Sequence, residues 1–170
     1  MDIQIAPLTS QEQIEAWEEA FRRLGFKRPD DYYAECLAEN REKKRVTLFA
    51  MAGSVVTGCA HLKYESEYPY FRERGIPEIN DLNVFPEYRK QGIANRLMDA
   101  FEAIAAETGP YIGIGVGLFA SYGAAQRIYC RRGYIPDGQG ISYENKIVEK
   151  GAMVRVDDEL ALYFTKRVAD

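Results

Sequence analysis

The stretch Leu82–Leu97, LNVFPEYRKQGIANRL, limits what this chain can fold into more than any other. An apolar strand ends at Pro86, because proline cannot donate to a sheet ladder. A short basic turn follows, and a helix opens behind it. Arg89, Lys90, Gln91, Gly92, Ile93 and Ala94 therefore stand where the first backbone amides of a helix lack internal partners. Those donors, the helix dipole and two cationic side chains together make a site for a phosphate-like anion. Gly92 lets the backbone approach a ligand where a Cβ would intrude, and Ala94 is the next smallest choice.

The segments around this unit read as a mixed α/β chain. Ile3 and Ile5 alternate with polar residues as a first strand. Ser10 and Gln13 form a capping box ahead of a helix carrying Ile14, Trp17, Phe21 and Leu24, stopped at Gly25. Pro29-Asp30-Asp31 starts a second helix that turns Tyr33, Cys36 and Leu37 inward and runs to about Lys43. Arg45–Met51 and Val55–Tyr64 form a hairpin closed at Gly53-Ser54. His61 lies in its second strand, where a lone histidine is more often packed or at the surface than catalytic. Glu65–Pro77 reads as a loop whose Tyr68, Tyr70 and Phe71 either cover the sheet or wall a substrate pocket. Glu78–Val84 is the strand entering the basic turn. The helix beyond buries Ile93, Leu97, Phe101 and Ile104, with Arg96, Asp99 and Glu102 facing water. With Tyr111–Val116 as the next strand, this makes a parallel βαβ unit.

That strand, YIGIGVG, does not carry a dinucleotide fingerprint. Gly113, Gly115 and Gly117 alternate, Leu118 stands where a third motif glycine belongs, and no acidic residue ends a following strand. Glycines there are expected to admit a backbone or a ligand. A second helical motif follows, in which Tyr122, Ala125 and Tyr129 share a side and Gly133 ends the helix. Arg131 and Arg132 suit its negative end. A loop around Gly138-Gln139-Gly140 and a closing strand, Glu159–Lys166, complete the chain.

These two motifs carry a resemblance. Val84, Pro86, Tyr88, Arg89, Gly92, Ile93 and Ala94 resemble the acyl-CoA pyrophosphate loop of the GNAT superfamily of N-acetyltransferases. Ala125, Tyr129, Gly133 and Tyr134 match that family's second motif in register, while Tyr122 stands where the family often has Asn. An ordinary strand–loop–helix connection with a basic turn is the plainer alternative for the first motif alone. The resemblance is firm over residues 78–134 and topological elsewhere. It implies a GNAT-like α/β (α+β) fold: a mixed, mostly antiparallel sheet with a central parallel, splayed strand pair and helices on both faces. The length suits one domain over residues 1–170.

The resemblance further implies acetyl-CoA as donor, a primary amine as acceptor and direct attack on the thioester. Leu82, Asn83, Val84, Arg89, Lys90, Gln91, Gly92, Ile93, Ala94, Tyr122 and Ala125 are the positions implied to meet the cofactor. The Val84 amide would polarise the thioester carbonyl, and Tyr129 would protonate the leaving thiolate or else merely pack. A base is needed because an alkyl ammonium, pKa ~10.4, is neutral in less than about one part in 10³ at pH 7. Glu78 matches the base of some family members and Asp81 is the runner-up, although either can instead pair with an arginine.

Partners and location rest on composition. A net charge of −4 argues against nucleic acid and is compatible with a cationic acceptor. Glu65, Glu67 and the neighbouring tyrosines suit a small cationic amine, with a protein N-terminus or lysine as the alternative. A non-catalytic acyl-CoA-binding or sensing module and a partner-binding scaffold are the readings from other classes. Dimers are common for such folds, so a homodimer is allowed. Three scattered cysteines and one histidine give no metal-ligand spacing, so no metal is expected. MDIQIAPLTS has no signal-peptide pattern, and the uncharged stretches at 46–62 and 108–126 are broken by Gly and Pro, short of the ~20 apolar residues of a membrane span. The expected location is cytoplasmic.

Overall fold

The computed structural model describes residues 2–170. Among them are five α-helices and eight strands, with hydrogen-bonded strand order β1-β2-β3-β4-β5-β8-β6-β7. The β1–β2, β2–β3, β5–β8, β6–β8 and β6–β7 pairs are antiparallel and β4 with β5 is parallel, so the fold is the expected mixed, mostly antiparallel α/β one. The chain forms two compact units, one of Met1–Lys63 with Asn80–Phe101 and one of Tyr64–Ile79 with Glu102–Asp170.

In the first unit β1 (Gln4–Pro7) pairs with β2 (Arg45–Ala52), and β2 forms the hairpin with β3 (Val55–Lys63). α1 (Gln11–Arg23) starts at the capping box: the Gln13 amide donates to Ser10 Oγ at 3.3 Å and the Ser10 amide to Gln13 Oε1 at 3.0 Å. Two otherwise orphaned donors are satisfied there. Ile14, Trp17 and Phe21 are buried as the spacing requires, whereas Leu24 is only partly covered. α2 (Tyr32–Arg41) is shorter than expected at both ends and buries Cys36 and Leu37. Trp17 is the hub of this core, meeting Phe49 at 5.3 Å, Phe21 at 5.5 Å and Tyr33 at 5.0 Å in edge-to-face geometry. Such pairs add about 0.5–1.5 kcal/mol each beyond burial.

Of β4 (Glu78–Val84) only Glu78 and Ile79 belong to the second unit, where they pair with β5 (Tyr111–Gly117) through Glu78↔Gly113 and Ile79↔Ile114. β8 (Leu160–Arg167) joins β5 and β6 (Ile135–Tyr143), and the two-residue β7 (Lys146–Ile147) joins β6. The segment around Gly138 and Gly140 is not a free loop. It is an irregularity inside β6, where the register with β8 shifts between Pro136 and Ile141 and both glycines have positive φ. The closing strand begins and ends one residue later than expected.

Four further expectations fail. Glu65–Pro77 contains a six-residue helix, α3 (Pro69–Arg74), with Pro at its start and Gly75 at φ 61° closing it. Tyr68 and Phe71 are buried with Tyr163, so this part of the segment is core. The β5 glycines admit aromatic rings rather than backbone or ligand. A Cβ on Gly113 would lie 2.2 Å from Phe71, one on Gly115 2.8 Å from Tyr163, and one on Gly117 2.3 Å from Tyr122. On α4 (Ile93–Ala106), Ile93, Leu97 and Phe101 are buried, but Ile104 is only partly so. Glu102 does not face water: it takes Arg132 at 3.0 Å, Lys166 at 2.7 Å and the Tyr134 hydroxyl at 3.1 Å.

Candidate active site

In the first unit, the motif turn begins after a single 3₁₀ turn, Pro86–Tyr88. Lys90 and Gly92 both have left-handed backbone, φ 61° and 79°, so the chain reverses sharply into α4 at Ile93. Gly92 is there for its φ: a Cβ built on it meets nothing within 4 Å. Holding Lys90 left-handed costs roughly 1–2 kcal/mol. The Gly92 carbonyl accepts from Arg96 N–H at 3.1 Å, which leaves Ile93 and Ala94 amides ahead of the first helical bond. Arg89 turns back on the strand, its Nε donating to the Val84 carbonyl at 3.1 Å. Arg89, Lys90, Gln91 and Gly92 are exposed, Ala94 is half-buried and Ile93 is buried. Open amides at a helix start beside two cations fit the diphosphate of an acyl-CoA.

Val84 is fixed on its C-terminal side, by Arg89 on its carbonyl and by the Phe85 amide donating to Thr57 at 2.9 Å. β3 comes close here, and a Cβ on Gly58 would lie 2.7 Å from the Asn83 carbonyl oxygen. On the other side Asp81 has left-handed backbone, φ 50°. Its carboxylate accepts four hydrogen bonds: two from Arg28 Nη2 at 2.8 and 2.9 Å, one from Tyr32 at 2.8 Å and one from Asn83 Nδ2 at 2.8 Å. A carboxylate offers about four lone-pair sites. Burial pushes this carboxyl group up, but Arg28 and Tyr32 outweigh it and hold its pKa below the usual range. Asp81 is thus saturated and ionised, and poorly suited to take a proton from a substrate.

The network continues inward, and its proton positions follow from counting donors. Tyr32 has one hydroxyl hydrogen, and Asp81, as an ion, can only accept it. His61 Nε2, 2.9 Å from that hydroxyl, must then donate, so Nδ1 accepts from Thr47 Oγ1 at 2.8 Å. Thr47 Oγ1 in turn accepts from Asn40 Nδ2 at 2.8 Å. His61 is fully buried and neutral, its pKa driven down by burial and then by the charge of Arg45. The histidine is packed, as its strand position suggested.

In the second unit, Glu78 is 5% exposed and accepts from Ser66 Oγ at 2.5 Å. Ser66 is itself buried and accepts from the Tyr68 amide at 3.0 Å. Tyr68 stacks on Tyr163 with centroids 3.8 Å apart and planes 5° from parallel, and donates its hydroxyl to Asp137 at 2.8 Å. Tyr129, on α5 (Gly123–Arg131), is 6% exposed. Its hydroxyl makes no hydrogen bond among the described residues. Burial, and then Tyr122, pushes its pKa upward, so it stays protonated. Tyr122 caps α5 rather than lying within it. Its ring covers Gly117 and its hydroxyl donates to Asp158 at 2.7 Å. Ala125 is half-buried on the same helix.

Within the first unit, then, the chain gathers Asp81, Leu82, Asn83, Val84 and the turn Arg89–Ala94. Within the second it holds Glu78, Tyr122, Ala125 and Tyr129. Sequence reasoning missed Arg28 and Tyr32, which reach Asp81 from 53 and 49 positions away, and Ser66, which lies 12 from Glu78. No local pattern announces such partners.

Three observations connect the chain to known proteins. It is similar to the N-acetyltransferase from Staphylococcus aureus Mu50 over 99% of each chain (14% identity, TM-score 0.72). It is similar to the ribosomal-protein-S18-alanine N-acetyltransferase from Escherichia coli over 99% of this chain and 96% of that one (15%, 0.69). An aminoglycoside 6'-N-acetyltransferase complexed with coenzyme A matches 99% of this chain and 97% of that one (15%, 0.66). No curated protein matches in sequence. At these identities the structures establish the fold. The model of the acetyltransferase (GNAT) family, which uses acetyl-CoA as acetyl donor, matches residues 9–134, well over half of the chain. With the left-handed turn, the open amides and the two motifs in register, this chain belongs to the GNAT acetyltransferase family.

Proposed function

We propose that this protein transfers the acetyl group of acetyl-CoA to a primary amine of a small cationic acceptor in the cytoplasm. The observation that carries the proposal is the turn Arg89–Ala94, whose left-handed residues and unpartnered amides suit a diphosphate. Bound acetyl-CoA supplies an activated acetyl group on sulfur. The Val84 amide polarises the carbonyl, a role for backbone N–H groups in acyl transfer. Glu78, rather than the saturated Asp81, takes the proton that the amine sheds as the C–N bond forms and the C–S bond breaks. Tyr129 keeps its proton through the working pH range and gives its hydrogen to the departing sulfur. A thiol's pKa is ~8.5, so the thiolate already leaves readily and this help is moderate. Leu82, Asn83, Tyr122 and Ala125 complete the contacts to the cofactor. Glu65 and Glu67 favour a cationic acceptor.

The test has two stages. Acetyl-CoA at ~100 times its Kd is expected to add ~2.7 kcal/mol of stability, a rise of several degrees at ~2–4 °C per kcal/mol for this size. Thiol release across an amine library, polyamines and amino sugars against peptides, then separates an enzyme from a binding module. Release with peptides alone would move the assignment to a protein N-acetyltransferase, and stabilisation with no release would make the protein a sensor. Glu78→Gln is expected to remove the acidic limb of the pH–rate profile. An unchanged limb would clear Glu78 of the base role.

A further inference from the structure

We infer that Asp81, Tyr32 and His61 form a positioning device that sets the Val84 amide, resting on the reading that this amide faces the thioester. The chain of hydrogen bonds is directional: Asn40 to Thr47, Thr47 to His61, His61 to Tyr32, Tyr32 to Asp81. It starts on α2 and β2, crosses β3 and ends at the one left-handed residue of β4. Arg28, from the connection just ahead of α2, binds the same carboxylate, and its guanidinium lies 4.9 Å from the Phe21 ring and 5.4 Å from the Tyr32 ring.

The geometry shows how this reaches Val84. Asn83 Nδ2 donates both to the Asp81 carboxylate, at 2.8 Å, and to the Asp81 carbonyl, at 2.9 Å. Residues 81–83 are thereby tied into a closed turn, and beyond it the Val84–Phe85 peptide is held by Arg89 on its carbonyl and Thr57 on its N–H, so the intervening Asn83–Val84 peptide, which carries the Val84 N–H, is restrained from both sides. Every polar group of the device is satisfied, so each member restrains its neighbour. A left-handed non-glycine residue persists only where its surroundings over-determine it. Asp81 has such surroundings: three side chains, Arg28 and Tyr32 from outside β4 and Asn83 from within it, converge on one carboxylate. His61 is neutral and tautomerically fixed, which makes it a rigid spacer between Thr47 and Tyr32.

Tyr32→Phe tests this, since it keeps the ring against Trp17 (centroids 5.6 Å apart) and removes both hydrogen bonds of the hydroxyl. Hydrogen exchange of the free protein is expected to quicken about tenfold in a peptide spanning residues 80–88, with the β2–β3 hairpin unchanged. In the wild type, acetyl-CoA is expected to protect that peptide more than coenzyme A does, because only the former carries a carbonyl for Val84. The difference is expected to vanish in Tyr32→Phe. With a productive amine, kcat is expected to fall about tenfold or more, while the acetyl-CoA Kd stays within about twofold and the pH–rate limbs do not move. Asp81→Asn, which tolerates the left-handed backbone, is expected to behave alike. Unchanged exchange, acetyl-specific protection that is absent in the wild type or survives in the variant, or a wild-type kcat overturns the inference. So does a lost pH limb, which would mean that the chain moves protons. Failure of the transferase reading shows separately, as no thiol release from the wild type with any amine.

Discussion

At the scale of single residues, charge and donor counting separate roles that residue type alone cannot. Glu78 and Asp81 are both acidic and three positions apart, yet one meets Ser66 and the other is saturated by four donors. The sequence made both candidates legible, but Arg28, Tyr32 and Ser66 are brought in by the fold and were not. Tyr129 was legible through its spacing from Ala125 and Gly133, and the structure adds a buried side chain whose hydroxyl is held protonated. Tyr129→Phe is expected to lower turnover at least tenfold, within the ~10²–10⁴ range of acid–base catalysis, with little change in acetyl-CoA binding. Equal turnover in a steady-state assay would leave the residue a packing role only.

At the scale of elements, periodicity did most of the work. Capping box, hairpin turn and the strand–turn–helix unit fell where the pattern put them, because each rests on short-range geometry. The short helix in 65–77 and the irregular β6 did not, because proline, glycine and burial compete there over a few residues. The β5 glycines show the same limit, since their partners Phe71, Tyr122 and Tyr163 come from three different elements or connections. Phe71 is fully buried and cannot withdraw from a methyl group on Gly113. Gly113→Ala is therefore expected to cost about 2 kcal/mol or more through overpacking, or about 4 °C or more in a thermal melt. Gly109→Ala, where a Cβ meets nothing within 4 Å, is the control and is expected to melt within a degree or two of the wild type.

For the whole molecule, the class of fold was readable because two motifs in the right order fix a strand, a helix and a parallel neighbour between them. Among the described residues no helix is long and apolar enough to cross a membrane. Acid sensitivity is a property of the folded whole that no motif announces. Folded His61 stays neutral where the unfolded chain takes up a proton near pH 6.5. Between those two pKa values the unfolded state holds more protons, so stability is lost as pH falls below about 6.5, by at most ~1.4 kcal/mol per unit. Asp81, with its lowered pKa, adds a loss of the same sign further down. Melting temperature is expected to fall from pH 7 to pH 5 by a few degrees, and less steeply in His61→Gln. A wild-type curve flat over that range would contradict the buried neutral histidine.

The three cysteines are all free, two buried and one exposed. Cys36 and Cys59 belong to the first unit, Cys130 to the second, and burial lifts the Cys36 thiol to about 11 and raises that of Cys59 as well. A thiol-specific dye should therefore take one equivalent at once and two more only as fast as the first unit opens, giving an unmodified protein its own stopwatch for local unfolding.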